Sequence, residues 1–101
     1  MAQFDVYENN SKISKDKIPY LIDIQHNLLE DTKTRVVIPL GIEKPRTNTL
    51  NPVFILNNKS YVLMTSFITT IPKYELGLKV CSLDEKRSEI ICAIDFLVTG
   101  F

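Results

Sequence analysis

Prolines and turn formers cut the apolar residues of this chain into short runs with a two-residue period, and only the last stretch changes to a helical period. Runs that short cannot build long helices, so the chain is restricted to a domain of short strands. Phe4, Val6 and Tyr7 open the first strand, and Tyr20 to Gln25 carries strand-type residues. Arg35-Val36-Val37-Ile38 stops at Pro39, which has no N–H for a central ladder, so this strand is expected to end near a sheet edge. Val53–Leu56 and Tyr61–Met64 flank Asn57-Asn58-Lys59-Ser60, and asparagine tolerates the positive φ of hairpin turns, so the pair reads as a hairpin. Ile68-Thr69-Thr70-Ile71 gives another strand, halted at Pro72. Glu8 to Ile18 is rich in Asn, Ser and Lys and is expected to be a mobile loop. Gly41 to Asn51 reads as a long surface connection.

Near the end the period changes. Ser82-Leu83-Asp84-Glu85 matches a capping box, in which the Ser hydroxyl accepts the Glu85 amide and a helix begins. Leu83, Ile90, Ile94, Leu97 and Phe101 then recur at three- and four-residue steps, widened by Ile91 and Val98; Glu85, Ser88, Cys92, Asp95 and Thr99 fall opposite. Gly100 stands where a left-handed residue commonly closes a helix. Many strands followed by one helix predict a mainly β, mostly antiparallel domain with a C-terminal α-helix laid on it. With 101 residues the chain is expected to form a single domain, residues 1–101.

Chemistry is sparse. Lys plus Arg and Asp plus Glu both number 12, so no global basic field exists to hold a phosphate backbone. His26 is the only histidine and reads as a solvated loop residue. One His and two separated cysteines, Cys81 and Cys92, do not make a metal set; both thiols are expected to be free and reduced. Gly41, Gly77 and Gly100 are too scattered to cradle a phosphate, and no cofactor is expected. The carboxylate pairs Glu30-Asp31 and Asp84-Glu85 have ordinary roles in a turn and a helix's first turn. Arg35 either pairs with Glu30 or Asp31, the favoured reading, or stabilises a phosphate in a ribonuclease site. No apolar stretch approaches the roughly 20 residues of a membrane-spanning helix. The N-terminus lacks the pattern of a secretory signal, so the cytoplasm is the expected location. An apolar Phe101 beyond Gly100 is expected to be buried in its own domain, in a twin subunit or in a partner, in that order.

Gln3-Phe4-Asp5-Val6-Tyr7, Ile22-Asp23-Ile24-Gln25, Arg35-Val36-Val37-Ile38-Pro39-Leu40, Leu50-Asn51-Pro52, Tyr61-Val62-Leu63-Met64-Thr65, Thr70-Ile71-Pro72 and Ala93-Ile94-Asp95-Phe96-Leu97 with Gly100 together resemble the CcdB family of bacterial toxins. The resemblance implies a homodimer of small antiparallel β-barrel-like subunits, each with a C-terminal helix. It further implies neutralisation by a cognate CcdA-like antitoxin and poisoning of DNA gyrase by trapping its cleaved complex with DNA, without enzymatic activity, cofactor, membrane or direct nucleic-acid binding by the toxin alone. Carried over by position, the surface facing the gyrase A subunit would comprise Leu28, Leu29, Asp95, Thr99, Gly100 and Phe101. One form of the motif has a tryptophan where Thr99 stands here, and Phe101 would supply part of that missing aromatic area. The architecture is also similar to that of the MazF and Kid ribonucleases, in which case Arg35 with His26 or a nearby threonine would cleave RNA; the neutral charge argues against this. A third reading is a scaffold that only binds its antitoxin, for which Glu8 to Ile18 is a candidate contact.

Overall fold

The computed structural model describes residues 2–27, 32–42 and 49–100. Among these residues seven strands precede one α-helix: β1 (Asp5–Asn9), β2 (Tyr20–Asp23), β3 (Thr34–Gly41), β4 (Val53–Leu56), β5 (Lys59–Leu63), β6 (Thr69–Pro72), β7 (Leu76–Ser82) and α1 (Arg87–Thr99). All pairings are antiparallel, in the order β4-β5-β3-β2-β1-β7, with β6 also on β3. The sheet curls into a half-barrel whose concave side carries the core, and Ile90 and Ala93 of α1 join Phe4, Ile22, Ile38 and Leu63 in one buried cluster. The mainly β, antiparallel fold with a single C-terminal helix is thus as expected. Among the described residues no helix is long and apolar enough to cross a membrane.

Strand β3 corrects one expectation. It does not stop at Pro39 but runs on to Gly41, fully buried from Val37 onward. The explanation lies in its second neighbour, which changes midway. Thr34 to Val37 pair with β6, whereas Leu40 and Gly41 pair with β5. The Pro39 carbonyl accepts the Met64 N–H at 2.9 Å, so the position of its missing N–H points to this same side, away from β2. Proline therefore sits at the junction between two partners, where the β2–β3 ladder loses nothing.

The hairpin forms as expected but is tighter, with Leu56 opposite Lys59 and a two-residue turn at Asn57 (φ 51°) and Asn58 (φ 65°). The segment after β1 also differs. Glu8 and Asn9 belong to β1, and the Asn9 side chain ties the next residues to the strand, donating to Ser14 Oγ at 3.0 Å and to the Ile18 carbonyl at 2.8 Å. Gly41 lies in β3, and residues 43–48 of the expected surface connection are outside the described residues.

Strand β7 has no counterpart among the strands expected from the sequence. Its register against β1 shifts twice, between Val6 and Tyr7 and between Tyr7 and Asn9, which breaks the two-residue period. Gly77 permits the approach: a Cβ there would meet the Glu8 carbonyl oxygen at 2.9 Å.

Candidate functional site at the end of the helix

The segment before α1 departs from the capping box. Ser82 Oγ accepts the N–H of Asp84, at 3.2 Å, rather than that of Glu85; one 3-10 turn spans Asp84–Lys86, and the helix proper begins at Arg87. The Arg87 guanidinium lies 5.4 Å from the Phe4 ring centroid and donates to Gln3 Oε1 at 3.1 Å. Phe4 is fully buried and holds φ at 70°, a conformation costly for a bulky residue. Its carbonyl accepts the Leu83 N–H at 2.8 Å. The other end of Gln3 reaches β2's exit: Nε2 donates to the Ile24 carbonyl at 3.0 Å, and the backbone N–H donates to Asn27 Oδ1 at 2.7 Å. One residue thus joins the start of α1 to the segment leading toward Leu28.

The apolar stripe of α1 is shorter than expected and rotated. Ile90 and Ala93 are buried, and Ile91 and Ile94 pack at the margin of the core. Beyond Ile94 the helix leaves the core. Leu97 (37 %), Phe96 (40 %) and Val98 (75 %) are exposed, so Leu97 and Val98 are not the core residues that the helical spacing suggests.

Of the six residues expected to face gyrase, the structure places three together at this end. Asp95, Thr99 and Gly100 are all exposed. Thr99 Oγ1 donates to the Asp95 carbonyl at 2.7 Å. Gly100 takes the left-handed conformation at φ 79° and returns its N–H to the Phe96 carbonyl at 3.0 Å, the cap that its position suggested. Leu28, Leu29 and Phe101 lie outside the described residues, as do Glu30 and Asp31.

Arg35 proves to be a buried residue with Asp23 as a partner; the expected partners Glu30 and Asp31 lie outside the described residues. Its Nη2 and Nε lie 2.7 and 2.9 Å from Asp23 Oδ2, and both side chains are fully buried. The sheet register accounts for the pair. Asp23 stands opposite Val37, so Arg35, two residues along the same face, is its diagonal neighbour. Asp23 Oδ1 accepts the Gln25 N–H at 3.0 Å. Burial raises the Asp23 pKa above the usual carboxylate value, with the Gln25 and Arg35 hydrogen bonds pulling the other way. On the same face the Tyr7 hydroxyl lies 3.4 Å from Asp5 Oδ2, and Lys79 Nζ lies 3.4 Å from Asp5 Oδ1. Burial and then the Asp5 charge push the Tyr7 pKa up to about 12. His26 is exposed. Cys81 and Cys92 are free thiols, and burial pushes the Cys81 pKa up.

Similar folds occur in an endoribonuclease in complex with its cognate antitoxin, from Mycobacterial species, at a TM-score of 0.77 and 16 % identity over 94 % of this chain and 91 % of that one. An endoribonuclease from Mycobacterial species superposes at a TM-score of 0.76 and 17 % identity, covering 94 % of this chain and 88 % of that one. At such identity the likeness is one of fold. Family membership rests on sequence: the family model described as CcdB protein matches residues 3–100, and the chain belongs to the CcdB family of toxins from toxin–antitoxin systems.

Proposed function

We propose that this chain is a toxin that binds the DNA gyrase A subunit through the end of α1, traps the cleaved gyrase–DNA complex, and is neutralised by a cognate antitoxin. The observation that carries the reading is the division of α1 into an anchored base and an exposed end. Ile90 and Ala93 hold the base in the core, whereas Phe96, Leu97 and Val98 bring apolar surface into solvent beside Asp95, Thr99 and Gly100. A rigid, capped helix end loses little conformational entropy on docking, which favours recognition by shape. The toxin's work is then to wedge, and the bond-breaking belongs to gyrase.

Two copies of the chain form the active unit, presenting two helix ends. Exposed Phe67, at 62 %, belongs to the turn against which α1 packs, so the apolar surface around the helix is wider than the helix itself. Burying such surface in a twin subunit removes apolar area from water.

The folds of the two Mycobacterial endoribonucleases keep a ribonuclease reading in view. It draws less support from the candidate residues. The Arg35 guanidinium is fully buried and held by Asp23, so a phosphate would have to displace a buried carboxylate to reach it. The test uses purified protein, gyrase and supercoiled plasmid. Wild type is expected to yield linear DNA after denaturation of the trapped complex, and Asp95→Arg to abolish this with an unchanged unfolding midpoint. RNA cleavage lost on Arg35→Ala, with no linear plasmid from wild type, would overturn the proposal.

A further inference from the structure

The two ends of the half-barrel sheet, β4 and β7, face one groove of about 340 Å³. Ile55 and Leu56 line it from one side, Val80 and Ser82 from the other, and Leu83 and Lys86 close it near the start of α1. Each strand has a single neighbour in the sheet, β5 for β4 and β1 for β7. Alternation settles where their main chains point. The Leu63 N–H donates to the Pro52 carbonyl, which directs Pro52, Phe54 and Leu56 toward β5 and turns Val53 and Ile55 outward. The Leu83 N–H donates to the Phe4 carbonyl, which directs Leu83 and Cys81 toward β1 and turns Ser82 outward; Val80, at the register shift, falls outside this alternation.

Main-chain groups of both edges therefore border one groove, Ile55 from β4 and Ser82 from β7. The chemistry that satisfies both at once is an extended peptide, which bonds on each of its edges. Below it lie Leu56 and Leu83, both members of the buried core, with Val80 packed beside them. We infer that an extended segment of the cognate antitoxin enters this groove as an additional strand between β4 and β7, with apolar residues at alternate positions turned inward. This rests on the reading of the chain as an antitoxin-neutralised toxin. The groove opens at the start of α1, and the 13-residue helix carries Asp95 and Thr99 away from it by roughly 1.5 Å per residue. Occupation of the groove anchors the antitoxin without using the gyrase surface.

Purified full-length antitoxin, added to the full-length toxin, provides the test. Amide exchange followed by NMR is expected to slow at Ile55 and Ser82 in the complex. Ile55→Pro removes one outward N–H while sparing the β4–β5 ladder. It should weaken antitoxin binding about tenfold, the size of one lost main-chain hydrogen bond, and leave plasmid linearisation by gyrase unchanged. If Ile55→Pro fails to fold, protection of Ile55 and Ser82 in the wild-type complex decides by itself. A bound antitoxin that leaves those two amides exchanging at their free rates overturns the groove inference alone. Absence of any antitoxin binding to wild type overturns the toxin reading with it.

Discussion

Removing the Asp23 carboxylate is expected to cost far more than removing the whole Asp23–Arg35 pair. Both side chains are fully buried, with Arg35 Nη2 2.7 Å from Asp23 Oδ2. At an effective dielectric near 20 that separation gives about 6 kcal/mol of attraction, and the desolvation of each ion offsets several kcal/mol of it. The intact pair therefore contributes little net stability. In Asp23→Leu the guanidinium stays buried and loses the Asp23 carboxylate, and the expected loss is about 3–5 kcal/mol. A domain of this size has roughly 5–15 kcal/mol in all, so that variant should be close to unfolding. Arg35→Met should cost less, about 2 kcal/mol, because Asp23 keeps the Gln25 N–H and burial already raises its pKa, so it can accept a proton. The double variant Asp23→Leu/Arg35→Met replaces the ions with apolar side chains and should recover most of the loss. Urea unfolding of all four proteins at pH 7, followed by circular dichroism, closes the cycle. Single losses below about 1 kcal/mol, or a double variant additive within about 0.5 kcal/mol, would show that the pair is hydrated and the reasoning wrong.

Tyr7 gives a pH signature with a definite sign. Its folded pKa of about 12 lies above the unfolded value of 10.0, so its contribution is complete below pH 10 and is lost as pH rises toward 12. Relative to Tyr7→Phe, wild type should lose on the order of 1 kcal/mol per pH unit across that window, read from urea midpoints; parallel curves for the two proteins would refute the burial of the hydroxyl. Along α1, Ile90→Ala should cost about 2–4 kcal/mol, whereas Val98→Ala should stay within about 0.5 kcal/mol and instead reduce gyrase poisoning; equal thermal shifts for the two would mean that the helix end packs on the core after all.

The legible part of the sequence is local. Paired asparagines at 57 and 58 announce their turn because positive φ excludes most other residues, and Gly100 announces the helix end for the same reason. The features that escape depend on partners distant in sequence. Pro39 looks like a terminator to any reader of one strand, and only the exchange of β6 for β5 beside β3 makes room for it. Proximity along the chain offers Arg35 only Glu30 and Asp31, and the β2–β3 register is what brings Asp23 to it. For β7, two register shifts against β1 hide the alternation that a straight strand would display. Near the end of α1, helical spacing puts Asp95 and Thr99 on the polar face, and both are exposed. The exposure of Leu97 and Val98 is not legible, since that spacing reports which residues share a stripe and says nothing of where the underlying sheet stops.

That mismatch between stripe and sheet is itself an argument about function. A helix needed only to close the half-barrel could stop at Ile94, the last of its residues packed against the core. α1 instead runs on to Thr99, and the added turn exposes Phe96, Leu97 and Val98. Exposed apolar area of this kind gives no stability to the fold and favours unwanted association. The extension is nevertheless held in shape by the Thr99 hydroxyl on the Asp95 carbonyl and by the Gly100 cap. Order in a segment that the core does not require is what a docking element needs, because the entropy of arranging it has been met before the partner arrives.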